Sequence, residues 1–305
     1  MPRRPFFGTP RERSGYLLAA PVAGFLTVFF VIPAALLLVF SFWRYASYAL
    51  IPDFTFANYF DALRRPAVLQ STWTGLKIGF WSGLVSTLVS FPVAWHIVFK
   101  ARGNGLLYIV LLSWFSSYLV RIFAWRTILG TNGMINSALI SLGLIDEPLG
   151  FLIFSPTAVV ITLVHIFVPF TLLLLLSALR NVTPDHLNAG RDLGGSRIDI
   201  LTRVVFPIAY KGIFGAFMFT FILSAGDFMT PQLLGGRGGV TLGLLISDQF
   251  RVTGNWPAGS AMAFLLLMLF LFVYFLLAVS LRFARLAPGL RFHPPMDDAP
   301  AAKEG

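Results

Sequence analysis

Residues 183–207, TPDHLNAGRDLGGSRIDILTRVVFP, are the most polar long interval between apolar runs in the chain. Thr183-Pro184 marks a helix start, because a hydroxyl there accepts an orphan N–H and proline has none to lose. Asp185 then sits at the positive end of that helix. The pattern runs to Leu193 and meets Gly194-Gly195, which suits a helix stop that needs a left-handed residue. Ser196 restarts a helix at once, with Asp199 in a capping-box position. In the second helix Ile198, Leu201 and Val205 share one side, and Arg197 and Arg203 lie away from it. Pro207 punctuates the entry into the next apolar run. The prediction is two short capped helices around a glycine elbow. A plain connector has no need of two caps; a surface that docks a partner does.

Outward from this stretch the chain is apolar. Of 305 residues, 57% are hydrophobic and 12% charged, against about 25% charged in globular domains. This is the composition of a membrane protein. There is no cysteine, which excludes disulfides and thiolate chemistry. The net charge of +10 does not point to nucleic acid. The basic residues fall mostly between apolar runs on alternate sides, as orientation by positive charge requires, and a basic cytoplasmic face beside anionic lipid accounts for them.

Taken in order, residues 1–15 form a basic arm with Arg3, Arg4, Arg11 and Arg13. The uncharged run Gly15–Trp43 exceeds the apolar region of a signal peptide and predicts a retained first span. Further spans are expected over Thr72–Phe99, Gly105 to about Leu129, Phe151–Leu179, Ala209 to about Met229, and Ala258–Leu281. Each meets or approaches the ~20 residues that cross the hydrocarbon. A short amphipathic helix is expected within 131–150. The membrane-spanning body is thus 16–285, with a polar tail over 286–305. About six spans put both termini on one side. The segments on that side hold Lys100, Arg102, Arg180, Arg191, Arg197, Arg203, Lys211, Arg282, Arg285, Arg291 and Lys303 besides the arm, and the opposite loops hold only Arg44, Arg64, Arg65, Arg237 and Arg251. Both termini and the 183–207 loop are therefore expected in the cytoplasm.

Asn188-Ala189-Gly190, Gly194 and Pro207 match the spacing of the EAA loop of ABC-importer permeases: Glu-Ala-Ala, a glycine, then Ile-x-Leu-Pro. Arg191-Asp192-Leu193-Gly194 and Ser196 resemble the form found in spermidine and putrescine permeases. Asn188 stands where that family usually has Glu, and Val204 and Phe206 stand for Ile and Leu. Thr131–Gly150, the preceding LVRIFAWRTIL and Ser224–Gly236 resemble the same group. The resemblance implies an all-α, polytopic, MetI-like permease fold with a cytoplasmic coupling helix in a bacterial inner membrane. It also implies partners: two ATPase copies that carry ATP and magnesium, a second permease subunit, and a periplasmic solute-binding protein.

Candidate chemistry is sparse. No Gly-x-x-x-x-Gly-Lys-[Ser/Thr] run exists, so a nucleotide would bind another chain. His96, His165, His186 and His293 show no metal-ligand spacing, and a Gly-x-Ser-x-Gly elbow is absent, so no catalytic or metal site is expected. Asp227 is the acid at the edge of the fifth span. It either pairs with a cationic cargo or is a helix-end acid bonded to Arg121, Arg126 or an N-terminus. Tyr118, Trp114 and Trp125 either hold an amine by cation–π contact or anchor the membrane interface. With Phe228, Thr230 and Asp248, the last within a family-like DQF…NWP element, Asp227, Tyr118 and Trp125 make up the candidate solute pathway. Cargo stays open between a polyamine and another small organic solute, amino-acid-like or opine-like. An ion-coupled secondary transporter would need matched halves and midplane charges, and the chain has no internal repeat.

Overall fold

In the computed structural model, residues 10–101, 103 and 105–283 are described. Residues 1–9 of the expected arm and all of the expected tail lie outside them, and residues 10–15 are already helical. Helix α1 (Pro10–Leu26) passes through a π turn (Thr27–Val31) into α2 (Ile32–Phe40). The turn is closed by the Ile32 N–H donating to the Thr27 carbonyl. Pro33 follows directly. A proline ring clashes with the carbonyl four residues back, and a widened turn relieves the clash.

The next segment departs from an all-helical expectation. Strands β1 (Arg44–Ala46) and β2 (Ala49–Ile51) pair antiparallel, with Arg44 opposite Ile51. Ser47 and Tyr48 turn the hairpin at φ 50° and 61°, the left-handed values a two-residue hairpin loop requires. An ion pair of 2.8 Å between Arg44 and Asp53 closes its base. Helix α3 (Ala57–Arg64) follows.

Helix α4 (Pro66–Phe99) begins six residues earlier than expected, with proline at its first turn. The third span is not one straight helix. α5 (Gly105–Leu112) tightens into a 3₁₀ turn (Ser113–Phe115), bends by 93°, and resumes as α6 (Tyr118–Leu129). Ser116 and Ser117 are extended at ψ 139° and 142°. The Ser113 hydroxyl donates to the Val110 carbonyl at 2.6 Å, the local competition by which serine loosens a helix end. The expected short helix is α7 (Met134–Ser141), held by buried Asn136, which donates to the Gly130 carbonyl and accepts the Leu149 N–H. α8 (Pro156–Leu179) starts on Ser155, whose hydroxyl accepts the Ala158 N–H at 3.1 Å. α9 (Pro184–Asp192), α10 (Arg197–Ile200), α11 (Phe206–Ala225), α12 (Met229–Leu234), α13 (Leu242–Arg251) and α14 (Trp256–Phe283) follow within the described residues.

Among the described residues, five helices are long and apolar enough to cross a membrane, or six when the bent pair counts as one span. The core is the trio α4, α8 and α11. Leu172, Leu175, Leu179, Val205 and Ala94 fill one end of it. Ile78, Ile122, Leu163 and Ile166 fill the other. The approach of α4 to α11 is set by Gly79, where a Cβ would lie 2.7 Å from the Ala225 Cβ and 2.8 Å from the Phe221 carbonyl oxygen. Small residues permit such close backbone contact where burial in lipid supplies no hydrophobic drive between helices. Little of α14 and none of the Leu18–Phe40 span is covered. Both leave apolar faces outward.

Candidate functional site

The elbow between α8 and α11 is built by local bonds. At the start of α9 the Thr183 N–H donates to His186 Nδ1 at 3.2 Å, so the cap is closed by a histidine. At its end the Gly194 N–H donates to the Arg191 carbonyl at 2.8 Å and the Gly195 N–H to the Gly190 carbonyl at 3.0 Å. This is a Schellman stop. Gly194 supplies the required φ of +77°. Ser196 then caps α10. Its hydroxyl accepts the Asp199 N–H at 3.2 Å and donates to Asp199 Oδ2 at 2.6 Å, and the Ser196 N–H donates to the same carboxylate. These bonds from Ser196, side chain first and backbone second, hold the exposed Asp199 carboxyl below its ordinary range.

The second helix does not end at Pro207. It runs from Arg197 to Ala225 as one rod, through a π turn (Leu201–Val205) closed by the Phe206 N–H on the Leu201 carbonyl. The device matches the one before Pro33, and half-buried Pro207 is carried inside the helix. The extra residue of a π turn re-phases what precedes it. Ile198 was expected to share a buried side with Val205; it is instead 73% exposed, and Ile200 takes the inward position. Leu193 at the elbow is 89% exposed. Asn188, Ala189, Arg191 and Asp192 lie exposed along α9, with Arg191 Nη1 donating to Asn188 Oδ1 at 3.2 Å. The elbow thus presents apolar Leu193 and Ile198 inside a ring of charge, on a rigid frame.

At the other end of α11, which rises about 30 Å over its length, a polar group gathers. Asp227 accepts the Met229 N–H at 3.3 Å and the Thr230 N–H at 3.0 Å, capping α12. Of the two readings of Asp227, its bonding to a helix N-terminus is realised, and no ion pair to Arg121 or Arg126 forms among the described residues. Buried Thr230 meets the Tyr118 hydroxyl at 3.1 Å, so the bend before α6 delivers Tyr118 to this group. Trp125 stands edge-on to His165, ring centroids 5.7 Å apart. Phe228 faces elsewhere, into a small apolar cavity of about 350 Å³ beside Phe250. Asp248 lies half-buried on α13 and forms no ion pair among the described residues. Trp114 precedes the bend, packed on Phe170.

Arg121 is the residue the candidate set lacked. It is 7% exposed, its Nη1 donates to the Ile166 carbonyl at 3.4 Å, and its Nε has no partner. The signal was there: an arginine in the middle of an apolar run, with no acid three or four positions away on its own helix.

Residues 79–285 match the family described as the binding-protein-dependent transport system inner membrane component. The chain is 30% identical over 265 residues to the spermidine/putrescine transport system permease protein PotB of Haemophilus influenzae, covering 85% of this chain and 92% of that one. It is 32% identical over 225 residues to the inner membrane ABC transporter permease protein YdcU of Escherichia coli, covering 69% and 71%. Among solved structures, the fold resembles a chain of a bacterial ABC transporter involved in the import of the acidic polysaccharide alginate. There the TM-score is 0.71 at 16% identity, over 89% of this chain and 96% of that one. The MetNI methionine ABC transporter gives a TM-score of 0.54 at 18% identity, over 72% and 96%.

Proposed function

The chain belongs to the family of inner membrane components of binding-protein-dependent transport systems, an ABC importer permease, and from that premise we propose how it takes up its cargo. The 183–207 elbow is the cytoplasmic coupling element. It docks in a groove of an ATPase subunit, with Leu193 and Ile198 as the apolar contacts and Asn188, Arg191 and Asp192 as the charged and polar rim. ATP and magnesium bind the ATPase pair, since this chain has no phosphate loop. A second permease subunit packs on the outward apolar faces, and a solute-binding protein delivers cargo on the side opposite the elbow. Both termini are cytoplasmic, as the arginine and lysine asymmetry of the loops argues.

The observation that carries this reading is the uninterrupted rod from Arg197 to Ala225. It joins the elbow to the polar group at Asp227 without a flexible joint. A push at Gly194–Ser196 therefore moves the far end of α11 as a rigid body, the two-state switching a nucleotide-driven partner can bias.

The cargo is a small organic cation of the polyamine kind. Support comes from the relatives' names and from the Asp227 carboxylate, which forms no ion pair among the described residues and lies by Thr230 and Tyr118. One observation favours a second reading. Arg121, buried beside this group with a free Nε, suits a cargo that also bears a carboxylate or phosphonate. Uptake into proteoliposomes of the assembled importer decides. Spermidine or putrescine transport supports the first reading, and transport confined to zwitterionic solutes supports the second.

A further inference from the structure

A cleft of about 970 Å³ opens between the end of α4 and the elbow. One wall is aromatic: Trp95 packs on Phe99 with centroids 4.5 Å apart, and Phe91 stacks on Phe206 at 5.9 Å with planes 6° apart. Lys100, Arg191 and Arg197 also line the cleft, and no acidic side chain is among the lining residues. Asp199 is the nearest acid by sequence to Arg197, yet it is committed to Ser196 and to Arg203, at 3.3 Å. Among the described residues neither Lys100 nor Arg197 forms an ion pair.

We propose that this cleft binds the headgroup of an anionic phospholipid, with its phosphate against Lys100 and Arg197 and its acyl chains along Phe91, Trp95 and Phe99. The chemistry is that of a membrane interface: aromatic rings sit at headgroup depth and clustered cations attract acidic lipid. A soluble anion uses the cations but gains nothing from the aromatic wall. An acidic segment of an ATPase would use the exposed tip at Leu193 and Ile198 instead of a cleft walled by a membrane span. Because the cleft borders the elbow, a seated lipid wedges α9 against α4 and sets the position from which the elbow moves. The inference rests on the cytoplasmic placement of the elbow, which side-specific labelling tests separately.

The test is native mass spectrometry of the detergent-solubilised importer, titrated with dioleoylphosphatidylglycerol, dioleoylphosphatidylcholine, or inorganic phosphate. Retention of phosphatidylglycerol alone is expected. The Lys100→Gln/Arg197→Gln pair should weaken it by on the order of tenfold, and Trp95→Ala should weaken it with the cations intact. Co-purification of the ATPase with Lys100→Gln and with Trp95→Ala, both outside the 183–207 elbow, separates a lipid site from a docking site. Equal retention of both lipids, undiminished retention in the double variant, phosphate binding as tight as lipid, or loss of the ATPase from Lys100→Gln would each overturn the proposal.

Discussion

The Gly195 amide donates to the Gly190 carbonyl at 3.0 Å, and that bond folds α9 back so that the next residue can cap a new helix. The elbow is therefore a fixed angle between two helices. Its geometry depends on Gly194, the residue held at φ +77°.

Gly194→Val places a β-branched residue in the left-handed region, at a cost of about 1–2 kcal/mol or more. The variant should insert into membranes and assemble, and uptake should fall to background while ATPase activity persists. Gly194→Asn, which tolerates that region, should retain most uptake. Parallel uptake and ATPase assays check this. Equal uptake by Gly194→Val and the parent chain would remove the elbow from the transport cycle.

Asp199 gives the elbow a pH signature. Its folded value is lowered by the Ser196 bonds, so the stabilisation is present above the unfolded value, near 3.9. It is lost as pH falls through the depressed folded value. Carbon-13 NMR of labelled Asp199 in the assembled protein should show titration below the ordinary aspartate range, and Ser196→Ala should return it toward that range. Titration of the parent at the ordinary value would contradict the cap.

At the far end of α11, Asp227→Asn keeps an acceptor for the α12 amides and removes the charge. If the cargo is a cation, its KM should rise roughly tenfold or more, as expected for losing a charged partner worth about 1.5–3 kcal/mol. Thermal stability should change little. Asp227→Ala removes the cap as well and should lower both. A KM unmoved in Asp227→Asn assigns the carboxylate to the cap alone.

Gly79→Val drives a side chain into Ala225 and the Phe221 carbonyl, which already sit within 2.8 Å of an added Cβ. Overpacking of this kind costs about 1–3 kcal/mol. The midpoint of thermal aggregation in detergent should drop, and an unchanged midpoint would mean that α4 and α11 do not pack as described.

What could be read in advance follows from how local the cause is. The caps at Ser196 and the stop at Gly194 are written in neighbouring residues, and they stand where the sequence puts them. The π turn over Leu201–Val205 reflects Pro207 acting back along the helix, so the burial of Ile198 was misassigned by the one residue the turn inserts. The 93° bend before Tyr118 lies in a run with no glycine or proline, where hydropathy is uniform and only serines mark the break. Without that bend Tyr118 could not be foreseen beside Thr230. Arg121 was marked in the sequence by the apolar run around it, but its contact with the Ile166 carbonyl exists only once α6 and α8 are packed.

In the proposed mechanism the elbow takes force from an ATPase on the cytoplasmic side. The chain has no cysteine, so Leu193→Cys gives this chain a single reactive site at an exposed point of the elbow. A bifunctional maleimide reagent on inside-out vesicles of the assembled importer should join residue 193 to the ATPase subunit, with ATP changing the yield. Labelling of that cysteine by an impermeant maleimide from the outer face of intact cells, or the absence of any ATPase adduct, would contradict the account.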